Sequence, residues 1–137
     1  RTDVTGMRAR MRAELDRSDA THVDLKQGEG GLVDLEFLLQ FLVLRHAHDH
    51  PRLLAPRATP LLVEAMVDAR LFDAADGTAL LEAHAALLAL GLSCTLDRRR
   101  RRVSRDAAPD GTLDASCAVI RAQWARWLAE DGQPATG

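Results

Sequence analysis

Apolar residues recur along this chain at helical spacing and almost nowhere alternate with polar ones. Val4, Met7, Met11 and Leu15 fall at i, i+3, i+7 and i+11, which predicts a first helix over about Asp3 to Asp16. Its opposite face is charged, as expected of a docking or connecting helix. Arg17 to Gly31 reads as a loop. A second helix opens at the Gly30-Gly31 pair, runs over about 32–49 and is stopped by Pro51. Its middle, Phe37 to Leu44, is apolar on nearly every side except Gln40, so this helix is expected at the buried centre of a bundle.

Thr59 followed by Pro60 is an N-cap and first-turn signature for a third helix ending near Leu71, with Leu62, Ala65, Met66 and Ala69 on one face. Asp73 is placed to cap a fourth, long helix through the Leu-rich stretch Leu80 to Leu96, where Gly77 and Gly91 either weaken the helix or mark close helix contacts. Its end carries Arg98 to Arg102. After a loop over Asp106 to Gly111, Asp114 is placed to cap a last helix with Cys117, Ile120, Trp124, Trp127 and Leu128 along one stripe. No stretch alternates long enough for a half-buried strand. The pattern predicts an all-α single bundle of about five helices. Residues 1–17 form a connecting helix, 18–132 the bundle and 133–137 a frayed tail.

The chain has 137 residues, 47% of them hydrophobic, which is enough to bury one core without a disulfide or metal staple. Its net charge is −2, so no global basic field draws it to nucleic acid. Every cation is Arg except Lys26. Cys94 and Cys117 match neither a Cys-x-x-Cys nor a zinc spacing and read as reduced core thiols of a cytoplasmic protein. No apolar run reaches the roughly 18 residues that cross a bilayer, and no leader pattern opens the chain. It begins at Arg1 rather than Met, as an excised piece of a longer polypeptide would.

The segment Lys26 to Gln40 is the most informative. Three glycines in four positions before a helix bring backbone N–H groups, a helix N-terminus and an ammonium together. That arrangement serves either as an anion cradle or as a tight turn entering the helix. The Walker spacing and a preceding strand are both missing, and composition favours the turn. Glu36 and Gln40 share one face of an otherwise apolar helix. A carboxylate there meets a partner surface or cleft, or pairs with an Arg of a neighbouring helix, because burial alone would be costly. Asp34 is expected on the other side, toward Arg45. His46, His48, Asp49 and His50 sit where the helix dipole favours His, and only His46 and His50 share a face, so no metal is expected. Arg98, Arg99, Arg100, Arg101 and Arg102 wind around a helix end, a solvated terminus or a contact for an acidic partner.

Lys26-x-x-x-Gly30-Gly31-apolar-x-Asp34-apolar-Glu36-Phe37-x-x-Gln40 resembles a signature of the glutamine synthetase adenylyltransferase and adenylyl-removing enzymes of bacterial nitrogen control. The similarity extends from Met7-Arg8 to the closing Trp124-x-x-Trp127-Leu128 and looks most like the C-terminal helical domain of the adenylylating half. It implies that the chain supports transfer of AMP from ATP to a tyrosine of glutamine synthetase, and its removal. The chemistry would lie in an upstream nucleotidyltransferase domain that holds ATP and Mg²⁺ or Mn²⁺. The chain itself would be inactive alone and bind no cofactor.

By the same resemblance Lys26, Gly30, Gly31, Asp34, Glu36 and Gln40 are candidates for a surface facing the catalytic cleft or the neighbouring domain. The implied partners are glutamine synthetase, a small nitrogen-regulatory protein and the upstream domain. Leu88 stands where such proteins usually carry an Arg, so Glu36 needs another partner. The alternative is a non-catalytic interaction module for glutamine synthetase or the regulatory protein.

Overall fold

Leu35, Leu38, Leu39 and Leu42 are all buried, and the helix that carries them, α2 (Leu32–His46), is the centre of the molecule. The structure, a computed structural model, describes residues 2–20, 22–96, 102–105 and 111–128. Around α2 lie α1 (Thr2–Leu15), a short 3-10 helix (Pro51–Leu54), α3 (Thr59–Asp68), α4 (Ala74–Leu96) and α5 (Thr112–Leu128). The all-α bundle holds. α5 runs against both α4 and α2, and α3 against α4. Val63 and Met66 of α3, Leu80 and Leu87 of α4 and Ile120 of α5 close the core with no exposed surface.

Several boundaries differ from the sequence reading for local reasons. α2 ends at His46 rather than near Asp49, because Asp49 and His50 turn their N–H groups back onto the His46 carbonyl before Pro51 starts the 3-10 helix. α3 begins at Thr59, with Ala58 rather than Thr59 in the cap position, and stops at Asp68. Arg70 follows in a left-handed conformation, φ 63°. Asp73 does cap α4, its Oδ1 accepting the Asp76 N–H at 2.7 Å. Asp114 is not a cap but a first-turn residue of α5, which starts at Thr112. Gly77 marks a close contact, since a Cβ there would strike the Val67 side chain of α3.

Two strands were absent from the sequence reading. β1 (His22–Asp24) pairs antiparallel with β2 (Arg102–Ser104), His22 opposite Ser104 and Asp24 opposite Arg102, and the facing Val23 and Val103 are buried. Arg102 is thereby a strand residue whose guanidinium meets Asp19, not part of a helix end. Arg98 to Arg101, most of the loop before Gly111, the tail and the Cys94 side chain lie outside the described residues. Cys117 is free and buried.

α4 also corrects the expectation about apolar runs: Ala74–Leu92 is long and apolar enough, by length and composition, to cross a membrane. It nevertheless carries Asp76, Glu82 and His84 and packs against α3 and α5.

Candidate functional site

The glycine segment is built on a buried carboxylate. Asp24 Oδ1 accepts the N–H groups of Lys26 and Gln27, each at 3.0 Å, and Oδ2 accepts that of Arg17. This Asx-type turn folds the chain back on itself. The Gly28 N–H bonds the Asp24 carbonyl, Gly31 bonds Gly28, Leu32 bonds Leu25 and Val33 bonds Lys26, all within 2.9 to 3.0 Å. Backbone passes so close to backbone that a Cβ on Gly31 would lie 2.8 Å from the Leu25 oxygen. At Gly30, φ is +74° and a Cβ would strike the Cys117 carbonyl of α5. The amide of Gly30 donates to Asp34 Oδ2 at 2.7 Å. The N–H groups of Lys26, Gln27, Gly28, Gly30 and Gly31 are thus engaged within the turn itself, the arrangement of a tight turn entering the helix.

Asp34 is the second organiser. It is buried, and its carboxylate accepts from Arg8 Nε at 2.5 Å and from Arg12 Nη2 at 2.9 and 3.0 Å, besides Gly30. Arg8 is itself fully buried and spends its remaining donors on Gln27, Nη1 on Oε1 at 3.1 Å and Nη2 on the carbonyl oxygen at 2.6 Å. The two buried charges, Arg8 and Asp34, are paired and hydrogen-bonded, which is what a charge removed from water requires, while Arg12 adds a second cation from a partly exposed position. The clamp shares the docking of α1 with only part of its apolar stripe, Val4 packing on the core. Arg8 and Arg12 face the bundle, whereas Met7 and Leu15 of the apolar stripe are exposed.

Of the six residues the resemblance puts forward, Gly30, Gly31 and Asp34 turn inward and are joined by the bonds above, while Lys26, Glu36 and Gln40 are exposed. Asp34 meets Arg8 and Arg12, not Arg45, which lies exposed over the Phe41 ring. The acid that burial forces to find a partner is thus Asp34 rather than Glu36. Glu36, Gln40 and Leu44 line one outward face of α2 at i, i+4 and i+8, and Leu44 is 81% exposed. The Glu36 carboxylate lies near His84 of α4 and favours its protonated form, although partial burial prevails and holds the His84 pKa below the ordinary value.

Arg8, Gln27 and Asp24 were missed as site residues. One signal for Arg8 was available: a polar first helix with little apolar area must dock by something other than apolar contact.

Among the described residues no group of three or more His, Cys, Asp or Glu is placed to hold a metal ion. His46 instead packs edge-on against Trp127, with ring centroids 6.1 Å apart. What the glycine segment does provide is a rigid turn that ties α1, α2 and α5 together.

A family model described as GlnD PII-uridylyltransferase matches residues 5–109. The chain belongs to that family. The GlnD PII-uridylyltransferase match spans α1 through β2 and so contains the whole Arg8–Asp34 clamp.

The resemblance to the glutamine synthetase adenylyltransferases is borne out by individual relatives. The chain is 51% identical, over 95% of its length, to the bifunctional glutamine synthetase adenylyltransferase/adenylyl-removing enzyme of Xanthomonas campestris pv. campestris (strain B100). It is 52% identical over 88% of its length to the enzyme of that name from Stenotrophomonas maltophilia (strain K279a). A third, from Xanthomonas oryzae pv. oryzae (strain MAFF 311018), is 55% identical over 74% of the chain. The chain spans only 14%, 12% and 11% of these relatives.

Proposed function

We propose that this chain is a helical domain of a bifunctional glutamine synthetase adenylyltransferase/adenylyl-removing enzyme, one that positions the chemistry without performing it. The observation that carries the reading is 51% identity over 95% of the chain to one segment of a relative bearing that name. The family description speaks of uridylyl transfer to PII and the relatives' names of adenylyl transfer to glutamine synthetase. Both move a nucleotidyl group onto a protein, and the high identity across nearly the whole chain favours AMP.

On this reading the parent works in the cytoplasm. ATP and Mg²⁺ belong to a nucleotidyltransferase domain elsewhere in the polypeptide, and glutamine synthetase and a small nitrogen-regulatory protein are the partners. The inward Gly30, Gly31 and Asp34 set the scaffold. The exposed Lys26, Glu36 and Gln40 are the side chains available to face the catalytic domain.

The test is an AMP-transfer assay with ATP, Mg²⁺ and glutamine synthetase. The chain alone is expected to be inactive, and the polypeptide that includes a nucleotidyltransferase domain to be active. AMP transfer by the chain alone overturns the non-catalytic role. Transfer of UMP rather than AMP by the longer polypeptide overturns the choice of nucleotide.

A second reading, an interaction module for glutamine synthetase or the regulatory protein, draws support from Leu44 standing exposed beside Glu36 and Gln40. Calorimetry with each protein separates the two readings, since a module binds without the catalytic domain.

A further inference from the structure

Arg8 does more than fasten α1. Its guanidinium holds the glycine turn from both ends: Nη1 and Nη2 donate to the Gln27 side chain and carbonyl at 3.1 and 2.6 Å, and Nε meets Asp34, whose other oxygen takes the Gly30 N–H at 2.7 Å. A buried ion pair is a costly fastener, since apolar residues of similar volume often do as well or better. What a guanidinium adds is direction, because its donors lie in one rigid plane.

The residue next to Gln27 is the one whose side chain the turn leaves free. The Lys26 N–H donates to Asp24 Oδ1 and its carbonyl oxygen accepts the Val33 N–H, both at 3.0 Å, so its backbone is fixed on either side. Its side chain is nevertheless exposed and makes no ion pair among the described residues. It is also the only Lys of the chain. The backbone bonds suit many side chains, so they account for the turn and not for the ammonium. Glu29, the other exposed charge of the turn, lines a separate hollow with Arg105 and Arg121.

We infer that Arg8 is a positioning residue: through Gln27 it fixes the direction in which Lys26 presents its ammonium to a phosphate of the nucleotide handled by the rest of the polypeptide. The inference rests on the domain reading above and adds which side chain meets the nucleotide and what aims it. An ammonium is a compact point charge suited to phosphate oxygens. The N–H groups of Gln27, Gly28, Gly30 and Gly31 are engaged within the turn, so the Lys26 side chain is what the turn offers an anion.

The test is a double-mutant cycle of Arg8→Lys and Lys26→Ala in the full-length polypeptide. It is read by calorimetric affinity for α,β-methylene-ATP with Mg²⁺ and by kcat/KM for ATP in AMP transfer. Lys26→Ala should leave the melting temperature unchanged and lower both readouts by about tenfold to a hundredfold, the range of one hydrogen bond to a charged group. Arg8→Lys keeps a cation for Asp34 but lacks the fork that grips Gln27. It should lower both readouts, and the double variant should be no weaker than Lys26→Ala alone, because the two residues act in series. Losses that multiply overturn the inference, as does either single variant with the affinity and turnover of the unsubstituted protein. If Arg8→Lys does not fold, Gln27→Met, which removes the Oε1 acceptor, takes its place in the cycle with the same expectations. A full-length polypeptide that transfers no AMP sinks the domain reading together with the inference. One that transfers AMP, with Lys26→Ala unimpaired, sinks the inference alone.

Discussion

Arg8 is fully buried, and its Nε meets Asp34 Oδ1 at 2.5 Å across 26 residues of sequence. This pair is the buried polar contact between α1 and α2, beside the partly buried Val4 that packs on the core, while Met7 and Leu15 stand exposed. Breaking a buried pair strands the remaining charge and costs about 3 to 5 kcal/mol. Asp34→Asn and Arg8→Met are each expected to destabilise by that amount in urea unfolding. Combined, they should cost less than the sum, with a coupling of about 1 to 3 kcal/mol. Additive effects would show that the clamp contributes no specific energy.

The helices were legible in the sequence and the clamp was not. α2 announces itself because its leucines fall on every side of a helix that ends before Pro51. The cap of α4 was visible in Asp73 alone. The ribbon escaped because β1 and β2 are three residues each, too short to show a period, and nearly eighty residues apart. Asp34 escaped for a related reason. An acid in the first turn is explained locally by the helix dipole, and only the fold brings Arg8 to it. Glu36 drew attention by its apolar neighbours in sequence, yet those neighbours bury the other sides of α2 and leave its own side exposed. The fold class and the glycine turn were therefore readable from local chemistry. The identity of the buried acid depended on contacts between distant segments.

Two glycines share a left-handed backbone and differ only in what surrounds them. Gly30, φ +74°, faces the Cys117 carbonyl and the Arg121 Cγ, the latter at 3.0 Å from where a Cβ would sit, whereas Gly111, φ +80°, has nothing within 4 Å among the described residues. Gly111→Ala should cost only the conformational penalty, about 1 to 2 kcal/mol. Gly30→Ala adds a clash with backbone and should cost about 2 to 5 kcal/mol. Denaturant midpoints of the two variants check the contrast, and equal losses would remove the close packing of the turn on α5 as its cause.

Arg70 occupies the position after α3 where glycine is usually found. Its φ is 63°, its N–H bonds the Val67 carbonyl at 2.9 Å, and the Leu71 N–H bonds Met66 at 2.9 Å, the Schellman pattern. Arg70→Gly should stabilise the fold by about 0.5 to 1 kcal/mol by relieving the left-handed strain. Arg70→Ala keeps a Cβ and should gain almost nothing. Thermal melts of both variants decide whether strain or side-chain loss is responsible.

The histidines give the fold a pH dependence whose sign is fixed. Burial is the first cause that lowers the His46 pKa, helped by Arg45 and His50 and opposed by Asp49, and burial likewise lowers that of His84 against the pull of Glu36. The unfolded chain protonates both near the ordinary value of about 6.5. Below that pH the unfolded state binds protons that the folded state does not, so stability is complete above about pH 6.5 and declines as the pH falls through the lowered folded values. Melting temperatures between about pH 5 and 8 should show this decline. His46→Phe, which keeps an aromatic ring against Trp127, should flatten it. Glu36→Gln removes the one carboxylate that supports His84 protonation, so it should lower the His84 pKa further in a ring-proton NMR titration and steepen the loss of stability. An unchanged His84 titration in Glu36→Gln would mean that the two side chains do not share the surface between α2 and α4.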